Sequence, residues 1–506
     1  MVNNKKKYVL DFTTENGSKY YFDGITGTII PINNIMEDIV EMYPQYNTEE
    51  IKIKLMSKYP IEQIQSCISF IERWVKTYGG IFITNKEIQK NKYNMKYFNE
   101  ITLKQFFDMG NQYQLIINIT EDCNLRCKYC YLSEVYEFTR NRTSQKMTLE
   151  TGKRAINMFL KKLDEISEFN PGKKGIITFY GGEPLLEYLN IKELIEYAKK
   201  TTTVPLTFNL TTNGTLLNEE IIDFIVENNI YVAVSLDGSM FNHDRNRVYS
   251  NNKGSYEKII SNIELFRRKY PNYNFLSLIC VYDIKTDLIE NDKFFENNDN
   301  MPPVTFVNGV SSINTNYFKQ FSQEDYKKHF EQYSFLVNKY VDSKKNHIKI
   351  SEYLRVLMEE QLCGLLIRSR HQDIRPPMLP YTNNCVPGMK ISVRADGTYD
   401  MCERVNSTTP IGDINKGLNL TSIKNIIKDY NSSITEECDI CPINKVCSLC
   451  FAQCNNDGCF KKYVDCEQIR NINRYNLSII YSIMEVNPDA YENFEDSINI
   501  EWFFNN

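Results

Sequence analysis

The sequence predicts an α/β fold: a parallel barrel or partial barrel between an N-terminal hairpin-and-helix module and a cysteine-rich C-terminal region. Three observations predict it. From about Gln114, β-prone apolar runs alternate with amphipathic helical stretches, the signature of β/α repeats. Residues 1–95 have a different order, hairpin first and helices after. Of the 15 cysteines, three lie at 123–130 and nine between 385 and 466, with Cys67, Cys280 and Cys363 alone. At 506 residues the chain exceeds what one core supports, so several domains are expected.

The first module opens on short strands at Tyr8–Phe12 and Tyr20–Phe22, with turns at Asn16-Gly17 and Asp23-Gly24. Helical periodicity follows over Ile35–Met42, Thr48–Lys58 and Ile61–Tyr78, and the polar stretch Lys86–Asn99 reads as a linker. Six strands are then expected: Gln114–Thr120, Gly175–Tyr180, Pro205–Thr212, Tyr231–Leu236, Phe275–Tyr282 and Val304–Asn308. Helices at Leu149–Leu163, Ile191–Lys200, Glu219–Asn228 and Tyr256–Tyr270 separate them. Residues 110–322 therefore form the repeat unit and 323–384 a mainly helical bridge. After Pro376-Pro377 the chain reads as irregular, returning to helix at Cys466, so 385–506 is the cysteine-rich domain. In parallel barrels the active site gathers at the C-terminal ends of the strands.

Composition excludes several classes. Net charge is −5 with no Lys/Arg-rich block, which argues against nucleic acid as a partner. No apolar run approaches the roughly 20 residues that span a bilayer, so no membrane association is expected. Tyr8-Val9-Leu10 is followed at once by Asp11, too short for a signal peptide, and the chain reads as cytoplasmic. Fifteen cysteines in a reducing compartment point to metal rather than disulfides.

The strand Gln114–Thr120 leads into Cys123-Asn-Leu-Arg-Cys127-Lys-Tyr-Cys130. Three thiolates in one loop can hold three irons of a 4Fe–4S cubane and leave the fourth open, as a reactive site requires. Zinc, which prefers four ligands in two pairs, is the competing reading. The spacing C-x3-C-x2-C, with an aromatic residue (Tyr129) before the last cysteine, resembles the defining motif of the radical S-adenosylmethionine (SAM) superfamily. Gly181-Gly182-Glu183-Pro184, Thr211-Thr212-Asn213-Gly214, Ser235-Leu236-Asp237-Gly238 and His243-Asp244-Arg245-Asn246-Arg247 resemble further segments of that family.

The resemblance implies a partial (β/α)6 TIM-like barrel whose cluster, at Cys123, Cys127 and Cys130, binds S-adenosyl-L-methionine. By the same resemblance Gly181 and Gly182 allow close backbone approach to the cofactor, Glu183 helps position its methionine amino group, and Asn213 belongs to the cofactor site. Ser235 would bond its ribose or carboxylate and Arg247 would pair with its carboxylate. Turn chemistry alone also accounts for Asn213-Gly214 and Asp237-Gly238. His243 reads as a structural hydrogen-bonding residue.

Further on, Cys385, Gly397-x4-Cys402 and Cys438-x2-Cys441-x5-Cys447-x2-Cys450 are followed by Cys454, Cys459 and Cys466. On spacing alone zinc fits as well as iron. The arrangement resembles the SPASM extension of radical enzymes that modify peptides, which carries two auxiliary 4Fe–4S clusters. That likeness implies one cluster on Cys438, Cys441, Cys447 and Cys466, and a second on Cys385, Cys402 and Cys450. The two-residue gap before Cys450, against three in the common pattern, leaves open whether the second is closed or free to bind substrate. Cys454 and Cys459 are spare.

Residues 1–95 resemble the small winged-helix-like leader-binding domain of peptide maturases, which adds a leader peptide as an extra strand; a fixed structural cover for the barrel is the plainer alternative. Tyr78 reads as core. Together these resemblances imply a radical SAM oxidoreductase that matures a ribosomally made, cysteine-containing precursor peptide bound through its leader. The nearest group makes thioether crosslinks, as in sactipeptides and ranthipeptides. Its reaction uses an external electron donor such as flavodoxin or ferredoxin, reductive cleavage of S-adenosylmethionine, hydrogen abstraction from a substrate carbon, and attack by a cysteine sulfur. Alternatives are an anaerobic sulfatase-maturing (formylglycine-generating) enzyme, a carbon–carbon crosslinking or epimerising maturase, and a zinc-bound peptide-binding protein without activity. No catalytic base is identifiable.

Overall fold

Short alternating strands build the first unit. The computed structural model describes residues 9–24, 26–42, 45–78, 98–137, 141–298, 300–368, 378–379, 381–382, 384–404, 408–435, 437–438, 441–492 and 494. Strands β1 (Val9–Thr13), β2 (Lys19–Asp23) and β3 (Ile29–Ile32) form an antiparallel sheet in that order, followed by helices Asn34–Met42, Thr48–Leu55 and Ile61–Tyr78. The expected hairpin is thus a three-stranded sheet. Pro31 hides β3 from a propensity reading, and β3 tolerates it because an edge strand can lack one N–H.

On one face Tyr21 and Ile30 join Ile39, Ile51, Ile64 and Ile68 in a core of their own. On the other, Leu10, Phe12 and Phe22 enter the main core. There the rings of Phe12 and Tyr20 meet Tyr481 at 5.4 and 4.9 Å, on the helix Cys466–Met484. The linker residues 86–97 and the side chain of Tyr78 lie outside the described residues.

The repeat unit supplies six parallel strands: β4 (Gln114–Thr120), β5 (Gly175–Gly181), β6 (Leu206–Thr212), β7 (Tyr231–Ser235), β8 (Leu276–Tyr282) and β9 (Val304–Gly309). They lie side by side in chain order, each within one residue of the expected bounds at either end. Helices Leu149–Ser167, Tyr188–Thr201, Glu219–Glu227 and Tyr256–Lys269 pass between them. The sheet is mixed and open: β9 is one edge, and no pairing joins it to β4 among the described residues.

The free side of β4 is taken by β10 (Lys390–Val393), parallel to it, and then by antiparallel β11 (Thr398–Asp400), β12 (Gly412–Asp413) and β13 (Gly417–Leu418). This corrects the expectation of an irregular segment after Pro376-Pro377. The cysteine-rich region shares the central sheet and adds the helix Leu420–Ile434. Its strands are two to four residues long, too short to show a two-residue period. Between β9 and β10 the chain forms the helices Gln323–Asn346 and Glu352–Leu366. Among the described residues no helix is long and apolar enough to cross a membrane.

Candidate functional site

The first cysteine loop begins three residues after β4 and is held from two sides. Towards β5, Gly182 and Glu183 donate their N–H groups to the carbonyls of Thr120 and Asp122, both at 2.9 Å. A Cβ at Gly181 would stand 2.2 Å from the Thr120 oxygen and one at Gly182 2.1 Å from the Asp122 oxygen. The two glycines therefore let β5 lie against the chain entering the loop. From the other side Arg126 and Lys128 donate to the carbonyls of Val248 and Asn246 at 2.6 and 3.0 Å.

The three thiols are gathered closely enough that each charge bears on its neighbours, and the Cys123 Sγ accepts the Leu125 N–H at 3.4 Å. Burial pushes Cys123 and Cys127 up to about 11, while the positive Arg247 pulls them down. Cys130 is pushed up likewise. A bound metal deprotonates such thiols on ligation, so the donor set fits a cluster.

Glu183 is fully buried, and burial raises its carboxyl. It accepts from Leu185 N–H at 3.0 Å, Thr212 Oγ1 at 2.7 Å and Asn213 N–H at 2.7 Å. Asn213 donates through Nδ2 to the Asn124 Oδ1 at 2.8 Å and lies 3.8 Å from the Cys123 Sγ. Ser235 closes β7 and is buried. The ends of β4 to β7 thus converge on the first loop.

Arg247 is buried, donating from Nη1 to the Tyr129 hydroxyl at 2.8 Å and lying 3.8 Å from the Asp237 carboxylate. The Tyr129 hydroxyl in turn donates to Asp237. His243 Nδ1 accepts the Asp237 N–H at 3.2 Å, so Nε2 carries the proton toward Ser255 Oγ at 3.0 Å. Burial holds its pKa well down: it is a neutral, structural histidine.

The cysteines of the second field act on one another electrostatically in sets that overlap at Cys454. Cys438, Cys441, Cys447 and Cys466 act electrostatically on one another, with Lys462 and Arg470 beside them. The Cys450 thiol bears electrostatically on Cys402, and Cys385 on Cys450. Cys454 is fully buried and feels Cys450, Cys447 and Cys466; Cys459 is exposed. No group of three or more His, Cys, Asp or Glu among the described residues is arranged to hold a single metal ion.

Near Cys385 and Cys402 stand residues that sequence reasoning missed. Tyr113 bonds Cys385, and Glu403 and Cys402 bear on its hydroxyl. Arg404 is 3.5 Å from Glu403, sits over the Phe306 ring at 5.8 Å and bears on Tyr180. The adjacency Cys402-Glu403-Arg404 was the available signal. A cavity of about 290 Å³ lies against the sheet, lined by Thr178, Asn209, Thr211, Ser277 and Glu360. Burial pushes Glu360 up to about 7.

Residues 117–290 match the family described as the Radical SAM superfamily. This segment is a radical SAM domain. The chain is 34% identical over 171 residues to a cysteine-type anaerobic sulfatase-maturating enzyme of Clostridium novyi, spanning 33% of this chain and only 43% of that relative. It is 23% identical over 459 residues to the radical SAM cyclopropyl synthase TigE of Paramaledivibacter caminithermalis, 88% of each chain. The solved structure of native anSMEcpe with bound AdoMet covers 75% of this chain and 100% of its own, with a TM-score of 0.53 and 21% identity. That likeness concerns the fold. The radical SAM domain thus holds the first cysteine loop and the β5 to β7 termini, while the second cysteine field lies outside it.

Proposed function

We propose that this protein is a radical SAM maturase of a ribosomally made peptide, forming cysteine thioether crosslinks. The observation that carries the reading is the joining, in one chain, of a radical SAM domain, a second cysteine field built into the same sheet, and a separately cored N-terminal module. Similarity over 88% of both chains to a radical SAM cyclopropyl synthase supports a reading that includes all three parts.

Cys123, Cys127 and Cys130 would hold a 4Fe–4S cluster that, with S-adenosylmethionine, supplies the radical that removes a substrate hydrogen. The chain's own residues place and enclose it. Glu183 and Asn213 fix the β5 and β6 termini beside the loop. Cys438, Cys441, Cys447 and Cys466 would hold one auxiliary cluster; Cys385, Cys402 and Cys450 would offer three ligands to another. The partial barrel would receive the peptide segment at the C-terminal ends of its strands. The N-terminal sheet would bind the leader at an open edge, and an external flavodoxin or ferredoxin would deliver electrons in the cytoplasm.

The test is incubation of the reduced protein and S-adenosylmethionine with a short cysteine-rich peptide encoded by a neighbouring gene. Loss of two hydrogens per crosslink, dependent on Cys127, is expected. An unmodified peptide, with a sulfatase cysteine or serine oxidised instead, would favour the second reading. That reading, sulfatase-type maturation, draws on the 34% identity to the Clostridium novyi enzyme.

A further inference from the structure

Along β6 the two-residue period of a strand separates two kinds of side chain. Phe208 and Leu210 enter the main core, while Asn209 and Thr211 line the cavity of about 290 Å³. Thr178, Ser277 and Thr305 extend this polar lining across β5, β8 and β9, and the helix Glu352–Leu366 forms the opposite wall. Asn274 and Pro303, also in the lining, precede β8 and β9. With exposed Asn274 and Glu352 at its rim, the cavity opens at the N-terminal ends of the strands. The first cysteine loop stands at their other end.

Most of the charge around the cavity is matched. Arg355 donates to Glu352 at 2.6 Å and to Glu359 at 3.0 Å, and Lys344 lies 2.7 Å from Glu359. Glu360 differs. It forms no ion pair among the described residues, and its Oε2 is buried without a hydrogen-bond partner. The Arg404 charge bears on it from outside the cavity. The side chains of Asn209 and Thr211 likewise make no hydrogen bond to protein among the described residues. A buried carboxylate without donors carries a free-energy cost, which a ligand bringing one positive charge and N–H groups removes.

We propose that this cavity is a binding site for a small organic monocation, a primary ammonium ion with a short apolar body, its charge held by Glu360. Asn209 and Thr211 offer acceptors for further N–H groups, and Tyr231 and Val356 offer apolar surface for the body. The space is at the small end of ligand pockets, which begin at about 300 Å³, and suits an amine of side-chain size. The site uses no residue of either cysteine field and holds whether or not the chain is a peptide maturase.

The experiment titrates the full-length protein with benzylammonium and with its neutral counterpart, benzyl alcohol, by isothermal calorimetry. Wild type is expected to bind one benzylammonium saturably, at least about tenfold more tightly than the alcohol. Glu360→Gln keeps the shape and removes the charge. It should weaken benzylammonium at least about tenfold and leave the alcohol within about threefold, with thermal unfolding as the check on its fold. Glu352→Gln, at the rim, should change the ammonium affinity less than about threefold. No saturable benzylammonium binding would overturn the proposal and leave the cavity to water. Equal wild-type affinity for the two probes, an unchanged ammonium affinity in Glu360→Gln, or an equal loss in Glu352→Gln would overturn it as well.

Discussion

Asn118, midway along the strand that feeds the first cysteine loop, donates its side-chain amide to the Ser392 hydroxyl at 2.8 Å and to the Val393 carbonyl at 3.1 Å. Two residues 274 positions apart thereby lock the radical SAM domain to the cysteine-rich region inside one sheet. Replacing Asn118 with Leu leaves the buried Val393 carbonyl and Ser392 hydroxyl without this donor, at a cost of about 2–3 kcal/mol. Urea unfolding should show one cooperative transition in wild type, and a lowered midpoint in Asn118→Leu.

The N-terminal module is seated at close quarters on the second cysteine field. A Cβ at Gly24 would lie 2.2 Å from the Pro442 carbonyl oxygen, within the loop carrying Cys441 and Cys447. Both partners are backbone, so Gly24→Ala must displace one of them. A loss of about 1–3 kcal/mol is expected, with faster thiol labelling of Cys441 in the metal-free protein as the local readout.

Acid sensitivity should reside partly at Asp283, which follows β8 directly. Burial alone would raise this carboxyl. Arg245 clamps it at 2.7 and 2.6 Å, Tyr317 and Asn246 add hydrogen bonds, and the result is a pKa of about 2. A depressed folded-state value gives stability that is present above the unfolded pKa, near 4, and lost as pH falls toward 2. The whole effect is about 2 kcal/mol. Denaturant titrations at pH 6 and pH 3 should show the difference between wild type and Asp283→Asn narrowing by about 1 kcal/mol.

Glu183 satisfies three donors from two segments, Leu185 on its own and Thr212 and Asn213 at the end of β6. Glu183→Ala orphans all three and should cost at least about 3 kcal/mol. Glu183→Gln keeps one carbonyl acceptor and should fall between. Thermal unfolding of the three metal-free proteins gives the order directly.

The six parallel strands were legible because each has five to seven residues, most of them apolar or β-branched. The first triplet was legible because its chemistry is local in sequence. The pairing of β10 with β4 was not, since register between segments nearly 280 residues apart leaves no trace in a four-residue strand. Arg247 was singled out, yet its setting depends on Tyr129 and Asp237 arriving from other elements, which spacing cannot show. Glu403, Tyr113 and Arg404 passed unnoticed because the contacts of Tyr113 and Arg404 join segments far apart in sequence, which no local spacing reports.

The most direct test of the central claim is anaerobic reconstitution followed by reduction in the presence of S-adenosylmethionine. Wild type should hold roughly twelve iron atoms, three 4Fe–4S clusters per chain, and release 5′-deoxyadenosine and methionine. Cys127→Ala should lose the 5′-deoxyadenosine while keeping the auxiliary iron. A protein that binds about four zinc ions and no iron, and forms no 5′-deoxyadenosine, would contradict the account.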